Sequence, residues 1–230
     1  FYALWHGAEG LKEIAQRIHS IANWLDKQLS KLGYEEVNKV FFDTLRLRLP
    51  DNVSTQKLRT IALSKEVNLR YFDNGDVGIS IDEATTLADA NQLLLIFGIA
   101  AEKAIHETAE IPESSSLTKE VLRQSAYLTH PIFSLYHTET EMMRYIKRLD
   151  RKDISLTHSM ISLGSCTMKL NAAAEMLPLS NAAWMNIHPL VPEDQAQGYH
   201  ALIENLGKQL TTITGFAGVT FQPNSGAAGE

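Results

Sequence analysis

The chain has 230 residues, with 21 basic and 27 acidic side chains and a formal net charge of -6 at pH 7. This charge argues against a general nucleic-acid binder, because neutralising phosphates needs clustered Lys and Arg. A hydrophobic fraction of 44% is typical of a globular chain with a buried core, and the longest apolar stretch, 93–101, is too short to cross a bilayer. The single cysteine, Cys166, excludes both an intramolecular disulfide framework and a zinc site of several thiolates.

The first predicted element is an amphipathic helix from Gly10 to Lys31. Its apolar residues recur at spacings of three and four, which places them on one helical face: Leu11, Ile14, Ile18, Ile21, Leu25 and Leu29. Gly33 follows as a helix-ending glycine. Residues 1–32 form the first predicted division of the chain.

A compact α+β unit is predicted after this helix, from Gly33 to about Thr108. Its first strand covers 40–49, where apolar and basic residues alternate toward the end and a proline follows. Ser54 is a suitable N-cap for the next helix, which we expect to reach about Val67.

A β-hairpin is the next predicted element. Residues 68–72 and 77–81 are two short strands, and Asn74-Gly75 between them supplies the positive φ angles that a tight turn requires. Helical spacing returns over 86–105. The order helix, strand, helix, hairpin and helix favours an α+β fold in which helices cover one face of a small antiparallel sheet.

The polar, proline-containing stretch 111–116 is the predicted linker, and we place a domain boundary there. Two helices are predicted beyond it. One covers 118–126. The other begins at Thr138-Glu139-Thr140-Glu141, where hydroxyl and carboxylate have the spacing of a capping box, and it runs to Leu149.

The segment 158–171 concentrates small hydroxyl residues, one thiol, one amine and a glycine, without helical or strand periodicity. Such a segment can line a binding pocket, although residue types alone favour an ordinary loop whose hydroxyls form turns and caps. Cys166 is a nucleophile only beside a base or a positive field, so a buried thiol is the favoured interpretation. No metal site is predicted, because the eight histidines lack the spacing that pairs two imidazoles on one helix face.

The loop 222–230 is rich in small residues and follows the strand-like stretch 218–221. A loop of Ser, Gly and Ala presents several backbone amides without side-chain obstruction, and a helix start adds its dipole, so the two together can bind a phosphate. The spacing matches neither a P-loop nor GxGxxG. From the residues alone, a phosphate site and an ordinary loop stay equally open.

Several stretches of the chain have a distinctive sequence: 1–11, 158–161, 163–171, Asn186-Ile187-His188-Pro189, Gln195 with Gly198-Tyr199, and 222–227. In this order they resemble the P-protein family of the glycine cleavage system, and the resemblance covers essentially the whole chain. Two residues depart from the family pattern. Ser162 stands where the family usually has proline, and Ala228 stands where it often has glutamine.

The resemblance implies an incomplete fold type I of the pyridoxal-phosphate-dependent transferases, similar to aspartate aminotransferase. Residues 1–32 would be the helix that leads out of the large domain of the first half of the family protein. Residues 33–111 would be the small α+β domain of that half, and 112–151 a linker with helices. Residues 152–230 would be the truncated start of the α/β large domain of the second half, which retains the catalytic site.

The resemblance also implies an activity. Enzymes of this family release carbon dioxide from glycine on pyridoxal 5'-phosphate, which acts as an electron sink, and pass the aminomethyl group to the lipoyl arm of the H-protein. Four residues would cradle the cofactor phosphate, chiefly through backbone amides: Ser225, Gly226, Ala227 and Ala228. Three residues would lie near the glycine pocket: Ser165, Cys166 and Thr167. Other glycine cleavage components are expected as partners, with no nucleic acid and no membrane.

The chain is expected to be an internal fragment, because it has no initiating Met and breaks off inside a small-residue loop. In the family, the lysine that carries the cofactor as an internal aldimine lies beyond Glu230, so the fragment alone is expected to be inactive; Lys169 matches a different family element. The resemblance implies a homodimer or a two-subunit assembly for the parent, in a bacterial cytoplasm or a mitochondrial matrix. Two alternatives stay open: a non-catalytic binding or regulatory module, and another fold type I enzyme.

Overall fold

The computed structural model describes residues 1–152, 154, 158 and 172–229. It divides into two compact units, Phe1–Arg148 and Leu149–Glu230. The first unit contains a long helix, a four-stranded sheet and two further helices that share one hydrophobic core. Its α+β character confirms the prediction from the sequence.

Helix α1 (Tyr2–Leu32) covers the predicted helix and extends it toward the start of the chain. Gly7 interrupts its regular geometry with φ 66° and ψ -173°, a conformation open to glycine because it has no Cβ. Gly33 ends the helix in the left-handed region at φ 99°, and its N–H donates to the carbonyl groups of Leu29 and Ser30. The predicted role of Gly33 is confirmed.

The sheet is antiparallel, with the strand order β1-β2-β4-β3. Its strands are β1 (Glu35–Glu36), β2 (Thr44–Arg48), β3 (Arg70–Tyr71) and β4 (Val77–Ser80). Strand β2 pairs with β4 so that Leu45 lies opposite Ile79 and Leu47 opposite Val77. These four side chains are buried, which makes this face of the sheet one wall of the core.

Strand β2 is shorter than the predicted strand 40–49, because residues 40–43 do not extend the ladder. The carbonyl oxygen of Phe42 lies 2.8 Å from the ring nitrogen Nδ1 of His19, so a side chain on α1 takes the place of a ladder donor. A long-range contact of this kind leaves no trace in the alternation of the sequence.

The predicted hairpin is confirmed by the antiparallel pairing of β3 with β4, in which Tyr71 lies opposite Val77. The N–H of Phe72 donates to the carbonyl of Asp76 at 3.0 Å, and the N–H of Gly75 donates to that of Phe72 at 2.9 Å. Gly75 has φ 88°, whereas Asn74 keeps a negative φ. Glycine alone therefore provides the left-handed residue of this turn.

Helix α2 (Thr55–Ser64) begins where the sequence predicts. The hydroxyl of Ser54 accepts the N–H of Lys57 at 3.1 Å, which satisfies one of the free donors at the helix start. The helix ends before the expected Val67, because Glu66 takes a left-handed conformation with φ 59°. The N–H of Val67 then donates back to the carbonyl of Ala62 at 3.0 Å.

Helix α3 (Leu87–Ala101) begins at a capping box. Thr86 accepts the N–H of Asp89 through its hydroxyl, and the Asp89 carboxylate accepts the N–H of Thr86 at 2.8 Å. Glu102 ends the helix with φ 57°, a few residues before the predicted end. Ile105 then lies back against the helix.

The core of the first unit lies between α1, α2, α3 and the inner face of the sheet. Its largest fully buried side chains are Phe97, Leu25, Leu29, Leu45, Leu47, Leu58, Ile96 and Val77. The buried hydroxyl of Tyr34 donates to the carbonyl of Phe97 at 2.8 Å, so its polar group is satisfied. Burial raises the pKa of Tyr34 well above its usual range.

The predicted helix over 118–126 is wrong, since this stretch contains one turn at 119–121 and is otherwise irregular. A helix of this length has marginal stability unless an apolar face packs against the protein. Val121 and Leu122 are exposed, so no such packing supports it. Helix α4 (Glu139–Asp150) follows. The hydroxyl of Thr138 accepts the N–H of Glu141 at 3.3 Å and donates to the Glu141 carboxylate at 2.9 Å, so Thr138 takes the predicted cap role through one of the two bonds of a capping box.

The described residues 172–229 of the second unit contain one long α-helix and three short ones. These are α5 (Ala173–Met176), α6 (Ala182–Met185), α7 (Gln197–Thr214) and α8 (Gly226–Gly229). Gly215 ends α7 in the left-handed region with φ 71°. The stretch 218–221 does not form a strand, and none of the side chains described over 172–229 is buried.

Candidate functional site

The loop predicted to bind phosphate forms a capped helical turn. The hydroxyl and the carbonyl oxygen of Ser225 each accept the N–H of Ala228 at 3.2 Å, and the carbonyl also accepts the N–H of Gly229 at 3.2 Å. Pro223 lies beside the turn, because a Cβ added at Gly229 would be 3.6 Å from the Cβ of Pro223. The sequence from Ser225 onward therefore has the backbone geometry of a helix start.

Helix starts can bind small anions, and this is the role that the sequence predicts for the turn. The first N–H groups of a helical turn lack partners within the helix, which in this turn are those of Gly226 and Ala227. The N–H of Ala228, which the resemblance also assigns to the phosphate, is donated to Ser225 in this structure. The binding roles of these four residues stay predictions.

The residues predicted near the glycine pocket lie outside the described part of the chain. These are Ser165, Cys166 and Thr167, together with Lys169. Of the segment 158–171 the structure describes His158, an exposed residue in a turn. Their proposed roles therefore rest on the sequence.

The start of α7 is joined to α6 in the second unit. The rings of Trp184 and Tyr199 meet edge to face with their centroids 4.9 Å apart, and the Tyr199 hydroxyl donates to the carbonyl of Trp184 at 2.6 Å. In the turn after α6, Nδ1 of His188 accepts the N–H of Leu190 at 3.0 Å. The first two contacts join the start of α7 to α6, and the bond of His188 lies within its own turn.

A buried polar cluster on α1 was not identified from the sequence pattern. His19, Ser20 and Asn23 are 3%, 5% and 2% exposed, and they face residues 113–117, which we call the strap. The hydroxyl of Ser20 accepts the N–H of Ser114 at 3.0 Å and donates to its carbonyl at 3.2 Å. Asn23 donates to the hydroxyl of Ser114 at 3.0 Å. The stretch predicted as a linker is therefore held along α1.

His19 joins α1 to two other segments through its ring nitrogens. Nδ1 lies 2.8 Å from the carbonyl oxygen of Phe42, and Nε2 lies 3.1 Å from the backbone nitrogen of Ser116. A carbonyl can only accept and an amide N–H can only donate, so Nδ1 carries the proton and Nε2 does not. The ring also stacks on Phe42, with centroids 5.7 Å apart and planes within 3°.

The sequence gives little signal for this cluster. Positions 19, 20 and 23 fall on the side of the helix opposite its apolar face, where polar residues are usually solvated. The periodicity cannot say which partner they bind, because the strap lies more than 90 residues further along the chain.

A groove of about 770 Å³ lies between α1 and the chain that follows the strap. Its charged lining groups are Lys12, Glu113 and Arg123, and its apolar ones include Leu11 and Leu122. The buried cluster also contributes to the lining through His19, Ser20 and Ser114, whose polar groups are bonded between α1 and the strap.

One charged pair stabilises the hairpin turn. Nε of Arg46 lies 2.7 Å from a carboxylate oxygen of Asp76, and the guanidinium group lies 4.4 Å from the ring centre of Phe72. Asn74 donates to the same carboxylate at 2.8 Å. The hydrogen bond from Asn74, with the bond and charge of Arg46, holds the pKa of Asp76 below its usual value. The pair ties the turn to β2 and is structural.

Metal and membrane sites were also considered. Across residues 1–152, 154, 158 and 172–229, no group of three or more His, Cys, Asp or Glu side chains is placed to hold a metal ion. Within the same residues, no helix has both the length and the apolar character needed to cross a membrane.

Comparison with known proteins gives matches over the whole chain. The family model of the glycine cleavage system P-protein matches residues 1–97, which contain α1, the sheet and most of α3. Glycine dehydrogenase (decarboxylating) of Bacteroides fragilis strain YCH46 is 69% identical over 230 residues, which is 100% of this chain and 24% of that protein. The protein of the same name from Bacteroides thetaiotaomicron is 67% identical with the same coverage.

A plant relative matches over the same extent. Glycine dehydrogenase (decarboxylating) 1, mitochondrial, of Arabidopsis thaliana is 48% identical over 233 aligned residues, which is 100% of this chain and 22% of that protein. The chain thus spans about a quarter of the length of the curated relatives it matches. The resemblance noted in the sequence is confirmed, and the chain belongs to the glycine cleavage system P-protein family.

Proposed function

We propose that this chain is a section of a pyridoxal-phosphate-dependent glycine decarboxylase, an enzyme that releases carbon dioxide from glycine and passes the aminomethyl group to the lipoyl arm of the H-protein. One observation carries this proposal. Relatives named glycine dehydrogenase (decarboxylating) are 67% to 69% identical over all 230 residues. The match includes both units and the loop at Ser225.

The proposed fold is type I of the pyridoxal-phosphate enzymes, as in aspartate aminotransferase. Residues 33–111 are the proposed small domain of the first half, and 152–230 the proposed start of the large domain of the second half, with 112–151 between them. The antiparallel sheet flanked by helices supports the assignment of the small domain. The four strands lie between residues 35 and 80, within the matched region 1–97, and this supports the assignment of the small domain further.

The loop at Ser225 fits the phosphate of the proposed cofactor in its chemistry. Because Oγ of Ser225 accepts the N–H of Ala228, its own O–H is left to donate to a phosphate oxygen. The small residues Gly226 and Ala227 place two backbone amides at the start of the turn without bulky side chains. When bound, the cofactor supplies an electron sink for the carbon atom that loses carbon dioxide. Ser165, Cys166 and Thr167 are proposed to line the glycine pocket.

The 230-residue chain is proposed to be inactive by itself. The lysine motif that holds the cofactor in this family matches no segment of the chain, and Lys169 belongs to a different motif. The active protein is proposed to be a homodimer or a two-subunit assembly that works with the H-protein, in the cytoplasm of a bacterium or the mitochondrial matrix of a eukaryote. The name of the Arabidopsis relative, which includes the word mitochondrial, agrees with the second location.

The test uses a polypeptide with the full length of the relatives that contains these 230 residues. With pyridoxal phosphate and lipoylated H-protein it should release labelled carbon dioxide from carboxyl-labelled glycine. Ser225→Ala should weaken cofactor binding roughly tenfold or more, because a hydrogen bond to a charged group contributes about 1.5–3 kcal/mol. Ser180→Ala is the matched control, since the Ser180 hydroxyl donates to the Leu177 carbonyl in the same unit.

Two outcomes would contradict the proposal and identify an alternative. Decarboxylation of another amino acid in place of glycine would indicate a different fold type I enzyme. Absence of cofactor binding by the full-length protein would indicate a non-catalytic module. For the 230-residue chain, an absorbance band of lysine-bound cofactor together with turnover would contradict its proposed inactivity.

A further inference from the structure

The groove beside α1 leaves apolar side chains open to solvent. Leu122 and Phe42 both line it, and they are 43% and 42% exposed. Leu11 and Leu117 add to the same lining. Apolar area gathered in one concave site is typical of a binding surface, because contact with an apolar partner removes that area from water.

The strap gives this groove a preformed wall. Ser115 and Leu117 of the strap line the groove. The strap is anchored next to them, since the backbone of Ser114 bonds the Ser20 hydroxyl and the Ser114 hydroxyl accepts from Asn23. A wall that is already ordered lowers the entropy cost of binding.

Arg123 has a fixed orientation at the groove. Its Nε donates to the carbonyl of Ser125 at 3.3 Å, and its guanidinium group lies 5.2 Å from the ring centre of Tyr127. Tyr127 is held in turn, because its hydroxyl donates to the carbonyl of Ala8 on α1 at 2.6 Å. Within the described part of the chain, the two terminal nitrogens of Arg123 have no hydrogen-bond acceptor. The paired N–H groups that suit a carboxylate are therefore open.

The charges that line the groove favour an anion. Lys12 and Arg123 are its two cations, and Glu113 is its one carboxylate. Oε1 of Glu113 accepts a side-chain N–H of Gln16 at 3.0 Å. Among the residues that the structure describes, neither Lys12 nor Arg123 takes part in an ion pair. An incoming carboxylate therefore meets two cations that have no ion-pair partner there.

We propose that this groove is the docking site of another segment of the full-length polypeptide, which brings apolar side chains to Leu122 and Phe42 and a carboxylate to Arg123. The chain spans 24% of the length of its Bacteroides fragilis relative, so most of that polypeptide is available to cover the groove. A segment linked to the groove has a high effective concentration and needs little intrinsic affinity. Docking depends on the family and length of the protein and not on decarboxylation of glycine.

Hydrogen exchange measured by mass spectrometry tests this proposal on a polypeptide with the full length of the relatives. The amides of residues 117–127 should exchange roughly tenfold or more slowly there than in the 230-residue chain. Arg123→Glu sets a carboxylate against the incoming one and should remove most of this protection. Arg144→Glu, at an exposed arginine of α4 that does not line the groove, is the matched control and should keep it. Equal exchange in the two polypeptides, or equal results for the two variants, would overturn the proposal.

Cross-linking identifies the occupant without a variant. A carbodiimide joins the Lys12 ammonium group to a nearby carboxylate through an amide bond, and mass spectrometry of the digested full-length protein locates that carboxylate. A carboxylate of the same polypeptide outside these 230 residues is the expected result. A link to Glu113 alone, or none, would contradict the proposal.

Two other occupants are separated by the same measurements. In an equal mixture of nitrogen-15-labelled and unlabelled protein, a cross-link of mixed mass would assign the groove to a second copy of the chain. Protection of residues 117–127 that appears only after lipoylated H-protein is added would assign it to a separate partner. Either result would rule out docking within one polypeptide.

Discussion

Gly98 occupies a position on α3 where no side chain fits. A Cβ at this residue would clash with Cγ2 of Ile105 and lie 3.3 Å from the carbonyl oxygen of Lys103, because the chain folds back onto the helix after Glu102. Gly98→Ala gains about 1 kcal/mol of helix propensity but meets an overpacking cost of about 1–3 kcal/mol. We expect a net loss in the free energy of unfolding of the first unit, measured by urea titration with circular dichroism.

Relief of the same contact provides the control for Gly98. Ile105→Ala removes the atom that the new Cβ would meet, so Gly98→Ala should cost less in that background than in the unchanged chain. If the effects of Gly98→Ala and Ile105→Ala on the free energy of unfolding were additive, the contact with Ile105 would not be what excludes a side chain at residue 98.

The carboxylate of Asp76 should make the stability of the first unit depend on pH. Its pKa lies below the usual value because Asn74 donates a hydrogen bond to it and Arg46 pairs with it. A depressed pKa contributes stability that is present above the unfolded value of about 3.9 and is lost as pH falls through the folded value. The free energy of unfolding should therefore decline below about pH 4.

Asp76→Asn should remove this part of the pH profile and lower stability at neutral pH, because the Arg46 side chain loses its partner. Asp73→Asn, at an exposed position of the same turn, is the matched control and should keep the profile. Chemical unfolding at a series of pH values measures both. If the free energy of unfolding of Asp76→Asn declined at acid pH as it does in the unchanged chain, the pair of Asp76 and Arg46 would not be the source of the pH dependence.

At the scale of the element, the helix caps were predictable because they depend on neighbouring residues. Ser54, Thr138 and Gly33 take the cap roles that the sequence predicts, with hydroxyl or left-handed backbone in place. Strand and loop limits depend on distant partners instead. Residues 40–43 of the predicted strand lie outside the ladder, and the carbonyl of Phe42 there bonds His19, which lies 23 residues away in the sequence.

The candidate sites also differ in whether they depend on neighbouring residues or on distant ones. The small residues after Pro223 predict a loop with accessible backbone amides, and the structure forms a short helical turn there, whose start follows local rules. The docking of the strap on α1 joins His19 to Ser116 across 97 residues, so no local pattern could predict it. The sequence therefore described the polar stretch 111–116 as a linker, although the structure holds it by hydrogen bonds to buried side chains.

The capping box of α3 allows a prediction at this scale. Thr86→Ala removes the hydroxyl that accepts the N–H of Asp89, and loss of an N-cap costs about 0.5–2 kcal/mol. Thr60→Ala is the control, because Thr60 is exposed on α2 and bonds a carbonyl within its own helix. Thermal unfolding should show a lower midpoint for Thr86→Ala and little change for Thr60→Ala; equal midpoints would contradict a stabilising cap.

At the scale of the molecule, the two units differ in how much of their apolar surface is covered. The first has a continuous core built from three helices and a sheet. In the second, the long helix α7 exposes apolar side chains along its length, among them Leu202, Ile203, Leu206 and Ile213. Since burial of apolar area is the main favourable term in folding, the first unit should be much the more stable of the two.

Equivalent substitutions in the two units test this difference. Leu94 is 3% exposed in the core of the first unit, and Leu206 is 42% exposed on α7. Leu94→Ala should lower the free energy of unfolding by about 2–5 kcal/mol, since it leaves a cavity, whereas Leu206→Ala removes little buried contact and should leave the main unfolding transition unchanged. Hydrogen exchange should follow the same order, with strong amide protection in α1 and α3 and weak protection in α7. Equal protection of α3 and α7, or a large effect of Leu206→Ala on the main transition, would show that the second unit buries α7 in solution.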